Sequence, residues 1–328
     1  GGFFAAKPAK KKAEVAAKPE VEAERAGPVP ARERAVPAPE AFPAKLRSFE
    51  VVGTAGANTN VLIMLHGRGD RCKAFAQTAR AMQLPETVVI ALDGSLELPF
   101  SGGGRCWFEV FERDSLEYIT PRLETVGNPS AAGSSGTDGP KQNAEFRRIQ
   151  SLASTHALLL KFIRVLHAKG GWPYERIHLF GYGDGATVAL DMAMERHGAE
   201  RLGGAVAVGG GLLVETLNEA HLNPRPPPST GYGRPTPCII TRGEEETSFS
   251  AEVADATVKE LLRRHPACGA HLVTVAGKKE GMVGSSAQEM KSLMEFWSHT
   301  LARESEEKAL AGAEEVVHIE KVPPAETS

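Results

Sequence analysis

Cysteine is scarce and scattered in this chain: Cys72, Cys106, Cys238 and Cys268 are the four in 328 residues, with no Cys-x-x-Cys pair. That excludes a disulfide framework and a cysteine-based zinc site, and it fits a reducing compartment in which the thiols are ordinary core or surface residues. No apolar run approaches the roughly 18 residues of a membrane-spanning helix, so no transmembrane segment is expected. Charge of one sign is lacking too. With 38 Lys and Arg against 41 Asp and Glu the formal net charge is −3, which offers no general attraction for nucleic acid. Gly102-Gly103-Gly104 is not followed by the Gly-Lys-Ser/Thr of a phosphate loop. No cofactor and no metal are implied.

What is there is enough for one large core, since 41% of the residues are hydrophobic and 24% charged. The ends differ from the middle. Residues 1–45 hold nine Lys and Arg against six Glu amid Ala and Pro, with only Phe3, Phe4 and Phe42 as large apolar anchors. Such a segment buries too little surface to offset its ordering entropy, so an extended basic tail is expected. Residues 301–328 hold three Lys and Arg against seven Glu and read as an acidic extension, in which Val316 to Val322 alternates like a strand that adds to a sheet edge. The basic, Ala-rich start without methionine suggests a processed organellar import sequence and hence a mitochondrial location, with the cytoplasm as the alternative.

Between the tails, over 46–300, strands and helices alternate. Buried strands are expected at 60–65, 87–92, 176–180, 204–208, 238–241 and 271–275, from short apolar runs bounded by turn residues. Helices are expected at 72–82, 143–169, 186–194, 251–265 and 286–301. This order predicts an α/β fold with a mostly parallel sheet covered on both faces. The Gly- and Ser-rich stretch 124–141 reads as a flexible insertion, and 222–237 as a second loop.

The fifth of these elements in chain order, the strand at 176–180, runs into Gly181-Tyr182-Gly183-Asp184-Gly185 and then a helix, the strand-turn-helix context of a Gly-x-Ser-x-Gly nucleophile elbow with glycine in place of serine. Three more blocks accompany it in order: His66-Gly67-Arg68-Gly69-Asp70, Gly104-Arg105-Cys106-Trp107-Phe108-Glu109, and Glu280-Gly281-Met282-Val283-Gly284-Ser285-Ser286 with Gln288-Glu289-Met290. Together these resemble the phospholipase/carboxylesterase branch of α/β-hydrolases, which includes the acyl-protein thioesterases. The resemblance spans about residues 49–300 and implies the α/β-hydrolase fold.

Carried over residue by residue, the resemblance implies a triad that has lost its chemistry. The nucleophile falls on Gly183, which has no hydroxyl or thiol, and the histidine falls on Gly284. The aspartate falls within Glu244-Glu245-Glu246, best on Glu246, where a carboxylate survives with no histidine to orient. The two oxyanion-hole amides belong to Arg68 and Asp184, and Asp184 at a helix start is expected to cap free amides and to repel a developing oxyanion. Serine replaced by glycine at the elbow also relieves backbone strain of about 1–3 kcal/mol. Ser285, Ser286 and His66 read as scaffold residues; His156, His167, His178, His197, His265 and His271 as packing or surface residues. Asp93 and Glu109 are placed near the old pocket, Asp93 equally as a turn residue or cap.

These readings converge on a catalytically inactive pseudoenzyme, retained as a structural or accessory subunit whose two tails contact protein subunits of a larger assembly. In a mitochondrion, near-neutral charge favours a respiratory-chain complex over the ribosome. Two alternatives are a pseudoenzyme that keeps an acyl or lipid ligand, and a carboxylesterase or thioesterase working through a non-standard site.

Overall fold

The computed structural model describes residues 34–53, 58–99, 101–112, 115–120, 139–195, 198–222, 234–283 and 286–303, without side chains for 139–143 and 219–222. In chain order the elements are β1 (Phe49–Val52), β2 (Asn60–Leu65), α1 (Cys72–Met82), β3 (Thr87–Leu92), β4 (Leu96–Glu97), β5 (Arg105–Cys106), α2 (Gly139–Ala168), β6 (Ile177–Tyr182) and α3 (Asp184–Glu195). They continue with β7 (Gly204–Val208), α4 (Val214–Leu222), β8 (Cys238–Gly243), α5 (Ala251–Arg264), β9 (Ala270–Val275) and α6 (Ala287–Thr300). Seven strands form one sheet in the order β1-β3-β2-β6-β7-β8-β9, parallel throughout except for β1, which pairs antiparallel with β3.

Every residue of β2, β3, β7 and β8 is buried. Continuous apolar runs suit these strands because both faces of a parallel sheet are covered. Alternation along β2 divides the core in two. Val61, Ile63 and Leu65 pack on the face that holds Phe162 and Leu166 of α2 and Val188 and Leu190 of α3. Leu62 and Met64 pack on the other, with Phe75 and Ala79 of α1 and Leu293 and Trp297 of α6. Asn60 ties the bottom of β2 to the end of α6, donating to the Ala302 carbonyl at 2.8 Å and accepting its amide at 3.1 Å.

The strands and helices expected over 46–300 are present, and two boundaries change. The basic tail ends earlier than residue 45, because Phe42 is 2% exposed and stacks on Phe162 with centroids 4.1 Å apart, while Ala35 N–H reaches the Gly170 carbonyl at 3.2 Å. One buried aromatic ring anchors a stretch whose average composition reads as unstructured. The insertion placed at 124–141 overlaps a helix that already begins at Gly139. Helix α4, strand β1 and the β4–β5 hairpin were not anticipated: they are short, and β1 is an edge strand with a weak apolar pattern. Residues 1–33 and 304–328, the bulk of both tails, lie outside the described residues. Among the described residues no helix is long and apolar enough to cross a membrane.

Candidate functional site

The C-terminal ends of β2, β6, β7 and β8 converge on the turn between β6 and α3. Gly183 sits in that turn at φ +53°, the left-handed region that a side chain adopts only at a cost. Its amide donates to the Val208 carbonyl at 2.9 Å, and its own carbonyl accepts the amides of Ala186 and Thr187. The flanking glycines are sterically obligatory. A Cβ on Gly181 would stand 2.1 Å from the Gly185 carbonyl oxygen, and one on Gly185 would stand 2.2 Å from that of Leu65. At Gly183 a Cβ meets only the Gly67 Cα, at 3.9 Å. The turn therefore has the backbone of an elbow, room for a side chain at its middle position, and none there.

Across the cleft, Arg68 follows Gly67 in the β2–α1 turn. Its guanidinium makes a bidentate pair with Asp184, Nε to Oδ2 and Nη2 to Oδ1 both at 2.8 Å, and lies 5.1 Å over the Tyr118 ring. Burial alone would lower the Arg68 pKa, but the bonds and charge of Asp184 outweigh it and raise the value. This corrects the expectation for Asp184. Its carboxylate serves Arg68, and the pair neutralises the charge that was expected to make the oxyanion position acidic. Two residues whose amides would form an oxyanion hole are locked together by their side chains. Replacing Arg68 by methionine is expected to destabilise the fold by about 1–2 kcal/mol, since Asp184 loses two charge-assisted bonds at a half-buried site. Arg68→Lys should recover part of that in chemical denaturation, because charge without the planar fork keeps attraction and loses the bidentate geometry.

Of the three candidate glutamates only Glu246 is buried, at 5% exposure. Its Oε2 accepts the Gly243 amide at 2.9 Å, and Oε1 lies 2.8 Å from where a Cβ on Gly209, at the end of β7, would stand. Burial raises its pKa, the Gly243 bond opposes that, and the nearby Glu280 charge adds to it. Glu244 instead accepts the Gly277 amide, and Glu245 reaches Lys279 in an exposed pair. Glu280, on the loop that leads to position 284, accepts the amides of Thr247 and Ser248 and both hydroxyls. The Ser248 hydroxyl leads the causes that bring its pKa down to about 2. Gly284 and Ser285 lie outside the described residues.

The other sequence candidates resolve into structural roles. His66 is fully buried; its Nε2 accepts the Gly94 amide at 2.9 Å, so Nδ1 carries the proton and donates to the Gly67 carbonyl at 2.7 Å. Burial holds its pKa below the ordinary histidine value. Asp93 accepts the Cys72 amide at the start of α1, the Ser48 hydroxyl and two Arg71 nitrogens. Burial would raise its pKa, but these bonds prevail and bring it down to about 2, which identifies the cap rather than the pocket acid. Glu109 pairs with Arg147 at 3.5 Å. Ser286 caps α6 by accepting the Glu289 amide. His156 bonds Asp191, His167 the Trp172 carbonyl and His265 the Met194 carbonyl; His271 is exposed on β9. His178 is buried within the sheet with neither ring nitrogen bonded, and His197 lies outside the described residues. Among the described residues no group of three or more His, Cys, Asp or Glu is placed to hold a metal ion.

Sequence reasoning missed the Arg68–Asp184 pairing, its Tyr118 platform, and a buried Lys278–Glu289 ion pair of 2.7 Å in which Glu289 also accepts the Thr241 hydroxyl. Arg68 and Asp184 stand 116 positions apart, so no local pattern signals the pair. The resemblance marked both positions, though for their amides rather than their side chains.

Residues 46–119 match the profile of the phospholipase/carboxylesterase family, a stretch that includes the first two of the four blocks. An uncharacterized hydrolase of Mycosarcoma maydis is 28% identical over 165 residues, 49% of this chain and 52% of that protein. The chain spans about half the length of the curated relatives it matches. Among solved structures, esterase PE8 is similar with a TM-score of 0.56 at 17% identity, covering 79% of this chain and 100% of the other. Acyl-protein thioesterase 2 of Zea mays is similar with a TM-score of 0.52 at 16% identity, covering 78% and 99%. The expected resemblance to this family and the α/β-hydrolase fold both hold.

Proposed function

We propose that this chain, an α/β-hydrolase fold similar to carboxylesterases, is a pseudoenzyme that serves as a structural or accessory subunit of a larger mitochondrial assembly, a respiratory-chain complex in preference to the ribosome. The observation that carries the loss of chemistry is Gly183: an elbow with open space at its central position and no nucleophile in it. His66, the imidazole in the β2–α1 turn, has both nitrogens occupied and is no substitute base. The assembly is supported by the oppositely charged sequences at the two ends, which an autonomous esterase does not need.

The expected result is no labelling by a fluorophosphonate probe and no turnover of short acyl esters by the purified chain. Labelling that is blocked by heat denaturation, or ester turnover above the uncatalysed rate, overturns the pseudoenzyme reading. For the accessory role, mild-detergent purification from mitochondria is expected to recover the chain at fixed stoichiometry with other subunits. Recovery as a lone monomer overturns it.

A further inference from the structure

Cys238 opens β8, and Cys268 stands just ahead of β9, thirty positions further along the chain. The register places Cys238 beside Ala270, the first residue of β9. Side chains two positions apart in an extended segment share a face, so Cys268 comes to the face that holds Ala270 and Cys238. Both cysteines belong to the core cluster that takes in Ala254 and Leu261 of α5. Their sulfurs converge on one oxygen: the Thr236 carbonyl lies 3.5 Å from Cys238 Sγ and 3.3 Å from Cys268 Sγ. The two thiols also hydrogen bond with one another. They stand at the N-terminal ends of β8 and β9, whereas the turn at 183 gathers the C-terminal ends of the strands, so neither has a part in the chemistry of the elbow.

The two thiols are not equivalent. Cys238 is wholly buried, while Cys268 keeps 6% exposure between two exposed neighbours, Ala267 and Gly269. A reagent little larger than water therefore meets Cys268 first. The bond from Cys238 brings the Cys268 thiol below its ordinary pKa, against the opposing effect of burial. The same bond, joined by burial, pushes the Cys238 thiol well up. One sulfur thus gives up its proton while the other keeps one to donate to it, the division between an attacking and a resolving cysteine. Cys72 and Cys106 differ, because burial leads the causes that push their thiols up to about 12 and about 11, and they stay protonated. β9 is the last strand of the sheet. Closing the sulfurs to the roughly 2 Å of a disulfide therefore moves the loop ahead of β9 and leaves β8 in place.

We propose that Cys238 and Cys268 are a reversible dithiol that a hydroperoxide converts to a disulfide, with Cys268 as the attacking sulfur and Cys238 as the resolving one. The Cys268 thiolate attacks the terminal oxygen of the hydroperoxide. An S–O bond forms, the O–O bond breaks, and the alkoxide leaves as the alcohol with the proton that Cys268 gave up. The Cys238 sulfur then attacks the sulfenic sulfur. The S–S bond forms, the S–O bond breaks, and hydroxide leaves as water with the Cys238 proton. Two thiols lose two electrons, and one hydroperoxide is reduced to an alcohol and water. In a reducing compartment the resting form is the dithiol. The site does not rest on the pseudoenzyme reading, since it holds whether or not position 183 supports chemistry.

Treatment of the reduced full chain with hydrogen peroxide, quenched by alkylation and read by mass spectrometry of the intact protein and its peptides, tests the assignment. The intact mass is expected to fall by two hydrogens, with the peptides of Cys238 and Cys268 joined and Cys72 and Cys106 still alkylated. Dithiothreitol should then restore all four free thiols. Cys238→Ala should stop at a Cys268 sulfenic acid that dimedone captures, and Cys268→Ala should slow oxidation at Cys238 at least about tenfold. Cys238→Ser and Cys268→Ser replace these variants if circular dichroism shows either unfolded. Oxidation at Cys268 no faster than at Cys72, a sulfenic acid that persists beside a free Cys238, or a disulfide that forms only in denaturant overturns the proposal. A fluorophosphonate adduct bears on the pseudoenzyme reading alone and leaves the thiol result to be judged by itself.

Discussion

Gly181→Ala and Gly185→Ala are each expected to cost about 4 kcal/mol or more, enough to leave little soluble protein, whereas Gly183→Ala should cost about 1–2 kcal/mol. The difference comes from what each new methyl group meets. At 181 and 185 it falls 2.1 and 2.2 Å from backbone carbonyl oxygens, which cannot move without separating β6 from α3 in the first case and α3 from β2 in the second. At 183 it falls in open space, and the cost is the left-handed φ of +53° alone. Guanidinium denaturation of Gly183→Ala against the parent chain measures the small term; soluble yield and circular dichroism read the large ones. Gly183→Ser should behave like Gly183→Ala in stability and remain unreactive toward a fluorophosphonate, because a hydroxyl without an imidazole stays protonated. Similar costs at all three positions would show that the turn is not held as an elbow.

Acidification is expected to remove about 3 kcal/mol of stability between pH 7 and pH 4 through His178 alone, and His178→Leu should abolish that portion of the slope. The ring is wholly buried on β6, against Gly203 and Gly204, with both nitrogens unbonded. Burial first, then the charges of Arg176 and Arg201, bring its pKa down to about 3 from 6.5. The unfolded chain therefore takes up a proton below pH 6.5 that the folded chain refuses until about pH 3. Stability is complete above pH 6.5 and falls as the pH drops through that window. His66, lowered in the same direction by burial, adds to the slope and persists in the variant. Asp93 and Glu280, both brought to about 2, lose their contribution from the ordinary carboxylate range down to that value, whereas Glu246 and Glu215, raised by burial, oppose the histidine slope above that range; all four persist in the variant, so the difference between parent and variant isolates His178. His178→Leu should also gain about 1–2 kcal/mol at pH 7, since two unbonded polar atoms leave the core. Denaturation midpoints at pH 7, 5.5 and 4.5 decide it; parallel slopes for parent and variant would place the acid sensitivity elsewhere.

Much of this architecture was legible before folding. β2, β3, β7 and α1 run over the residues expected of them, because a fully buried parallel strand is an uninterrupted apolar run and an amphipathic helix repeats its apolar positions at three and four. β1 and α4 escaped notice for the converse reason: an edge strand and a three-turn helix bury too little to leave a clear period. Phe42 was recognised as an apolar anchor and yet assigned to a tail. Composition averages over tens of residues, while a single ring stacked on Phe162 decides where packing starts.

By itself the sequence determined the order of strands and helices and the absence of a nucleophile at position 183, for periodicity and the chemistry of a side chain are local properties. Only the tertiary structure decided that Gly183 has room around it while Gly181 and Gly185 have none, since the atoms that crowd them come from elsewhere in the turn and from β2. It also decided that the carboxylate of Asp184 is neutralised, because the charge that pairs with it arrives from 116 positions away, across a sheet that must form before the two can meet.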